Sequence, residues 1–183
     1  LRNVVDRKDH HRIYHPYWDG LPSECTSSDK NLELFRANGD NATFAYLRIS
    51  GILDHETTEI NEKQGKGIVF QMMKNGRAYR CEIRKLTYGI RLVNAESATI
   101  EQCYIRDHTT KGYGYGICVL GDGMSSGGST AVIRESEFTG SRCNIASNSP
   151  ETKFAVIGCR FRDDSDITRS SIDAHPQGGA DLQ

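Results

Sequence analysis

The amino-acid sequence predicts an all-β chain folded as a parallel β-solenoid of about five coils. Two short strand motifs alternate along the 183 residues and recur at intervals of roughly 22 to 34 residues, with no helix-period pattern between them. Glycine is plentiful, with 18 residues, and proline is scarce, with 4, which favours many similar turns over a proline-rich linker. A succession of short strands at a fixed coil repeat is typical of a solenoid.

The first 41 residues do not fit the repeat, and we predict that residues 1–41 form an irregular N-terminal cap or arm. This segment contains His10, His11, His15 and the only tryptophan, Trp18. A solenoid needs its end covered because open strand edges template aggregation. The repeats then occupy residues 42–183, and we expect the solenoid to continue beyond the last residue, Gln183.

The first repeated motif is an eight-residue segment in which apolar residues alternate with spacers on either side of a two-residue interruption. Alternation is the strand period, and the interruption predicts a bend between two short strands. The motif occurs at residues 42–49, 76–83, 98–105, 131–138 and 154–161. The predicted inward columns are Phe44, Ala78, Ile100, Ile133 and Val156; Leu47, Cys81, Cys103, Ser136 and Cys159; and Ile49, Ile83, Ile105, Phe138 and Phe161.

The second repeated motif pairs a small residue with isoleucine at the start of another strand. It occurs as Gly67-Ile68, Gly89-Ile90, Gly116-Ile117, Asn144-Ile145 and Ser171-Ile172. Because glycine adopts positive φ without strain, we expect these glycines to lie in a left-handed turn that enters the strand.

From about Ala42 onward, these segments resemble the repeats of the pectin-lyase-like superfamily, over about three-quarters of the chain. The resemblance implies a right-handed parallel β-helix, and it is weak for activity because that fold supports many functions. Residues 112–117, 142–146 and 172–175 are similar to a subgroup of secreted or cell-surface β-helix proteins. Cys143 and Pro176 depart from the pattern of that subgroup.

One inward column contains small polar residues at the same point of successive coils. The predicted structural ladder is Cys81, Cys103, Ser136 and Cys159. On adjacent coils the Cα atoms of Cys81 and Cys103 are expected about 4.8 Å apart, within reach of a disulfide, but parallel Cβ vectors favour side-by-side thiols. A redox or metal role is the alternative. The better disulfide candidates are Cys25, Cys118 and Cys143.

An outward row on the glycine-isoleucine strands contains the candidate catalytic residues. In pectin-lyase-like enzymes a groove along an outer sheet binds polysaccharide, and by that resemblance the candidates here are Asp173, His175 and Arg142. A lyase needs a base and groups that stabilise an enolate, and a hydrolase needs two carboxylates. The row has one carboxylate, Asp173. Its apolar members, such as Val69, favour packing by another segment or subunit instead.

The loop at residues 111–116 combines aromatic residues with glycine. We predict that Tyr113 and Tyr115, together with Arg91, form a glycan-binding surface. The alternative is a tight turn whose tyrosines are packed. Asn41-Ala42-Thr43 is a glycosylation sequon, which agrees with a secreted setting.

The turn after the ladder strand carries acidic and histidine residues in more than one coil. A candidate metal site on this rim consists of Asp54, His55, Asp107 and His108, and calcium is the cation considered. The nearby Arg106 favours the alternative of a solvated, mixed-charge rim.

These observations favour a non-catalytic extracellular or cell-surface structural module over a polysaccharide lyase or glycoside hydrolase, with a glycan-binding module as the third hypothesis. The expected partners are polysaccharide, neighbouring copies of the chain or surface proteins, and no cofactor is required. The net charge of −1 argues against nucleic acid, and no apolar run is long enough to cross a membrane.

Overall fold

The computed structural model describes residues 25–27, 33–51, 65–110, 112–121, 127–147, 149, 151–162 and 170–174. These residues form parallel sheets whose strands stack in coil order, which confirms the predicted right-handed parallel β-helix of about five coils. In this part of the chain no helix is long and apolar enough to cross a membrane.

Three parallel sheets, A, B and C, form the sides of the solenoid, and their strands are numbered in chain order. Sheet A contains β1 (Cys25–Ser27), β4 (Arg48–Gly51), β7 (Glu82–Arg84), β10 (Tyr104–Arg106), β13 (Glu137–Thr139) and β16 (Arg160–Arg162). Sheet B contains β2 (Glu33–Ala37), β5 (Lys66–Gln71), β8 (Tyr88–Val93), β11 (Tyr115–Leu120), β14 (Cys143–Ser147) and β17 (Ser170–Ala174). Sheet C contains β3 (Thr43–Ala45), β6 (Gly76–Tyr79), β9 (Ala98–Glu101), β12 (Thr130–Arg134) and β15 (Lys153–Ile157).

The first strands of sheets A and B precede the predicted start of the repeats at residue 42. β1 pairs with β4, and β2 pairs with β5, both in parallel. The expected boundary between cap and solenoid therefore falls inside the first coil. The remainder of the predicted cap, with its histidines and Trp18, lies outside the described residues.

Strand register confirms the predicted inward columns. Phe44 aligns with Ala78 and Ile100, and the same row continues through Ile133 to Val156. That row lies on sheet C. On sheet A, a second inward column runs in register as Ile49, Ile83, Ile105, Phe138 and Phe161. The side chains of the middle coils are fully buried in one continuous apolar core. Apolar columns in register thus supply the burial that a chain with 37% hydrophobic residues needs.

The bend between sheets C and A places one residue of every coil in the left-handed region. These residues are Tyr46, Arg80, Gln102, Glu135 and Gly158, with φ between 51° and 61°. At the first four, the backbone N–H donates to a carbonyl of the next coil, as from Arg80 to Glu101 at 3.0 Å. Left-handed backbone costs about 1–2 kcal/mol at a residue other than glycine, and these hydrogen bonds offset that cost.

The ladder residues follow directly after the left-handed residues and satisfy backbone carbonyls inside the bend. The thiol of Cys81 donates to the Tyr79 carbonyl at 3.5 Å, and the thiol of Cys103 donates to that of Glu101 at 3.4 Å. The Ser136 hydroxyl makes the equivalent bond to Arg134 at 3.0 Å. The three ladder cysteines, Cys81, Cys103 and Cys159, are free thiols.

The predicted disulfide role of Cys118 and Cys143 is wrong, because both are free and buried. Cys118 aligns with Ala146 and Cys143 aligns with Tyr115, so the two cysteines are offset along neighbouring strands. An offset of three residues separates their Cα atoms by roughly 10 Å, which is too far for a bridge. The side chain of the third candidate, Cys25, lies outside the described residues.

The glycines of the second motif are required for a different reason than the predicted left-handed turn. Gly67, Gly89 and Gly116 are not among the positive-φ residues, so that expectation is wrong. A Cβ atom at Gly89 would lie 2.5 Å from the carbonyl oxygen of Gly116 and 2.8 Å from His108 Nε2. Gly67 and Gly116 face the carbonyls of the next coil equally closely, at 2.5 and 2.6 Å. At these three glycines the facing carbonyl therefore leaves no room for a Cβ atom, whereas Asn144 and Ser171 occupy the equivalent position in the last two described coils.

Replacing Gly89 with alanine is expected to lower the free energy of unfolding by about 1–3 kcal/mol, since the new methyl group forces neighbouring coils apart. Gly39→Ala is the matched control, because a Cβ at Gly39 has no neighbour within 4 Å. Urea unfolding followed by circular dichroism measures both. Equal stability of the two variants would contradict the close-packing explanation.

Candidate functional site on the outer face of sheet B

The outer face of sheet B carries side chains that alternate with the inward isoleucine column. Val69, Cys118 and Ala146 occupy one row of this face, and they are buried although they do not belong to the core cluster. Arg91 and Asp173 lie in the same row and are half-buried. The face therefore combines covered apolar positions with charged groups that solvent still reaches.

Three tyrosines cluster at the start of the sheet B strands. The ring centroids of Tyr88 and Tyr115 are 5.7 Å apart, and those of Tyr88 and Tyr113 are 6.3 Å apart. Tyr88 and Tyr115 stand in register on adjacent strands, so the stacking of coils itself aligns their rings. All three side chains are half-buried, which leaves part of each ring accessible. Burial raises the pKa of Tyr88 and of Tyr115, so both hydroxyls are protonated at neutral pH.

The aromatic-glycine loop fixes the two tyrosines that the sequence singled out. Gly114 is left-handed, with φ of 52°, and a Cβ there would lie 2.4 Å from the carbonyl oxygen of His108. On either side of it, the Tyr113 N–H donates to Thr110 at 3.0 Å and the Tyr115 N–H donates to Thr87 at 3.0 Å. The glycine lets the loop lie against the coil, and this contact sets the direction of both rings.

Two arginines lie against this tyrosine cluster. The guanidinium carbon of Arg91 is 5.5 Å from the centroid of the Tyr88 ring, and that of Arg142 is 5.8 Å from the Tyr115 ring. Arg142 also donates through Nη1 to the Tyr113 carbonyl at 3.3 Å, which ties its head group to the loop. A guanidinium group packs favourably against an aromatic face, and here it places positive charge beside the rings. The cluster thus presents ring surface and positive charge together.

A polar group next to the cluster joins the last two strands of the sheet. The Cys143 thiol donates to Asp173 Oδ2 at 3.5 Å, and it accepts from the Ser170 hydroxyl at 3.6 Å and from Arg142 Nη1 at 3.6 Å. Burial raises the pKa of the Cys143 thiol, and the Asp173 carboxylate raises it further. Because a thiolate is the reactive form, this cysteine is a neutral hydrogen-bonding group rather than an activated nucleophile.

The structure brings most of the sequence-predicted residues to one face. Arg91, Arg142 and Asp173 join the tyrosines there, whereas His175 lies outside the described residues. Sequence reasoning missed Tyr88 and the contacts of Cys143. A signal for Tyr88 exists, because it precedes Gly89-Ile90 just as a tyrosine precedes Gly116-Ile117. The contacts of Cys143 depend on the path of the chain between β14 and β17 and have no local signal.

The predicted metal rim is divided between different environments. Asp54 and His55 lie outside the described residues. Asp107 is half-buried and pairs with Arg106, while His108 is fully buried and its Nδ1 lies 2.9 Å from the Leu86 carbonyl. Within the described ranges, no group of three or more His, Cys, Asp or Glu side chains is placed to hold a metal ion.

The buried His108 makes stability depend on pH. Burial lowers its pKa from 6.5 to about 4, and in an unfolded chain the ring would regain its ordinary pKa. The unfolded state therefore binds more protons between pH 6.5 and 4, and stability falls as the pH drops through this range. The total loss from this residue is about 3 kcal/mol.

His108→Asn keeps a side-chain donor for Leu86 but does not titrate, so we expect its unfolding free energy to fall less between pH 7 and pH 4.5. Urea unfolding at the two pH values, compared with the unsubstituted chain, measures the difference. An identical pH dependence in both proteins would show that His108 is not the group responsible.

Comparisons with protein-family models, with curated proteins and with solved structures found no match for this chain.

Proposed function

We propose that this chain is a non-catalytic, extracellular β-solenoid module of pectin-lyase-like type that binds a glycan on the outer face of sheet B. The observation that carries the proposal is the tyrosine cluster of Tyr88, Tyr113 and Tyr115, with Arg91 and Arg142 against its rings. The exposed Asn41 of the sequon, at a turn before β3, supports an extracellular setting.

The chemistry of the cluster suits a sugar. Aromatic rings offer flat apolar surface for the apolar face of a sugar ring, and they lose little conformational freedom on binding. Guanidinium groups donate several hydrogen bonds in a fixed plane to hydroxyl or carboxylate oxygens. Because the rings come from successive coils, a glycan chain lying along the stacking direction would contact more than one of them.

The polar residues of the same face favour binding over turnover. Glycoside hydrolysis needs two carboxylates on either side of one bond. On sheet B the described residues place Asp173 on β17 and Glu33 on β2, at opposite edges of the six-stranded sheet and roughly 24 Å apart, which is too far for such a pair. Asp173 accepts a hydrogen bond from Cys143, whose raised pKa keeps that thiol neutral. These groups can orient a ligand through hydrogen bonds without forming a nucleophile.

Truncation of the cluster tests the proposal. We expect Tyr113→Ala and Tyr115→Ala each to weaken glycan binding about tenfold, since large aromatic contacts dominate binding energy. Tyr104→Ala is the matched control, because Tyr104 is also half-buried and also lies beside an arginine, Arg106, but on sheet A. Binding is measured by affinity electrophoresis against a panel of acidic and neutral polysaccharides.

Two results would overturn this function. In one, no polysaccharide of the panel retards the unsubstituted chain, or Tyr104→Ala weakens binding as much as the cluster variants do. In the other, incubation releases new reducing or unsaturated ends and the activity disappears in Asp173→Asn, which would establish the enzyme instead.

A second candidate function, end-to-end assembly with other copies, is favoured by the last described coil. Its inward-facing side chains Phe154, Val156 and Phe161 are only partly buried, and Ile172 is 44% exposed. Among the described residues, β15, β16 and β17 are also the outermost strands at this side of their sheets. A second solenoid that stacked on this coil would cover the apolar residues and continue the strand ladders.

Assembly of this kind predicts a particle size that increases with protein concentration and is reduced by Ile172→Asp. Met72→Asp is the control, because Met72 is also highly exposed but lies in a turn after β5, away from the last coil. Analytical ultracentrifugation measures both. A monomer at all concentrations would exclude end-to-end assembly and leave the glycan proposal untouched.

A further inference from the structure

A polar depression of about 260 Å³ lies on the outer face of sheet C, away from the tyrosine cluster. It spans three coils, because its residues come from β6, β9 and β12 and from the turns that precede β6 and β9. The lining residues are Asn75, Gly76, Arg77, Ser97, Ala98, Thr99 and Arg134. The pattern of the sequence did not single out any of these residues as functional.

Two arginines from different coils converge in this depression. Arg77 Nη2 lies 2.8 Å from Glu101 Oε2, and Arg134 Nη2 lies 3.1 Å from the same oxygen atom. Glu101 is nearly buried, and both arginines lower the pKa of its carboxyl against the opposing effect of burial. The shared carboxylate fixes both guanidinium groups side by side and stays ionised at neutral pH.

The two arginines keep unused donors that face solvent. Their side chains are 44% and 45% exposed, and among the described contacts Glu101 is the ion-pair partner of both Arg77 and Arg134. The Arg77 guanidinium also packs on the Tyr79 ring, with its central carbon 4.3 Å from the ring centroid. Two positive groups and one negative group leave a net positive charge. A guanidinium has five N–H donors, so most of them remain available to a ligand.

A hydroxyl on the middle strand, β9, also lines the depression. Thr99 stands in register with Arg77 and lies on the same strand as Glu101, and its side chain is half-exposed. Asn75 and Ser97 are less available, because they bond to each other and Asn75 also bonds to Asn41. The depression therefore offers donors from two guanidinium planes and one hydroxyl.

From this arrangement we propose that the sheet C depression binds a tetrahedral oxyanion, a sulfate or phosphate group, either free or carried on a polyanion. A planar carboxylate is matched by one guanidinium fork, whereas donors from two separate guanidinium groups and a hydroxyl surround an anion with oxygens in several directions. The preformed guanidinium pair lowers the entropy cost of binding. This site is independent of the glycan face on sheet B.

The test is a two-dimensional ¹⁵N NMR titration that follows the arginine Nε–H signals. The probes are sodium sulfate, sodium phosphate and dextran sulfate, with neutral dextran as the polymer control and sodium chloride used to keep the ionic strength constant. We expect sulfate, phosphate and dextran sulfate to shift the Arg77 and Arg134 signals. Tighter binding of dextran sulfate than of free sulfate identifies a polymer-borne anion, and equal affinity per sulfate group identifies the free ion.

Three variants separate a built site from diffuse attraction. Arg77→Gln and Arg134→Gln each remove a charge-assisted hydrogen bond and are expected to weaken sulfate binding about tenfold. Arg160→Gln removes the same charge from an exposed arginine on sheet A and is expected to leave the affinity within about twofold. Arg134→Lys keeps the charge but loses the planar fork, and we expect it to weaken binding as well.

The proposal is overturned if sulfate, phosphate and dextran sulfate all leave the two arginine signals unchanged. It is also overturned if Arg160→Gln weakens binding as much as Arg77→Gln does, because the attraction would then belong to the whole surface. Circular dichroism spectra of each variant show whether the solenoid is intact.

Discussion

The close approach of successive coils is the constraint on which the rest of this structure depends. Strand ladders alone do not hold a solenoid together, because the chain must also turn three times per coil without leaving backbone groups unsatisfied. At the bend between sheets C and A, a left-handed residue donates its N–H to the next coil, and a ladder thiol or hydroxyl caps a carbonyl inside. At the start of sheet B, the carbonyl oxygens of the next coil lie too close to Gly67, Gly89 and Gly116 for a side chain at these three positions.

This constraint explains why the interior was readable from the sequence. A residue that must stack on its equivalent in the next coil repeats its chemical type, so inward columns such as that of Ile49, Ile83 and Ile105 are visible as a repeated pattern in the amino-acid sequence. The glycines were recognised for the same reason, although the cause assigned to them was wrong. Periodicity shows that a position is restricted, and only the three-dimensional contacts show that a facing carbonyl restricts it.

The outer faces were less predictable, because their contacts join residues that share no repeated pattern. Arg77 and Arg134 are 57 positions apart in the chain and meet at Glu101 only because coils of unequal length come into register. His108 illustrates the opposite error, since its neighbour Asp107 indicated a charged rim while the ring itself turns into the core beside Leu86. Side-chain direction at a corner depends on one left-handed residue, here Asp107 with φ of 60°, and such residues have no reliable sequence signature.

The tyrosine cluster together with Arg142, and the sheet C depression, share one feature: each site draws its residues from three neighbouring coils. In a solenoid, every coil is stabilised mainly by the coils directly above and below it, so a coil with only one neighbour unfolds more readily than the others. Among the described residues, the apolar side chains of the last coil are only partly buried. A ligand that contacts three coils binds only when all three are folded. Occupancy of either face would therefore oppose local unfolding of the stack.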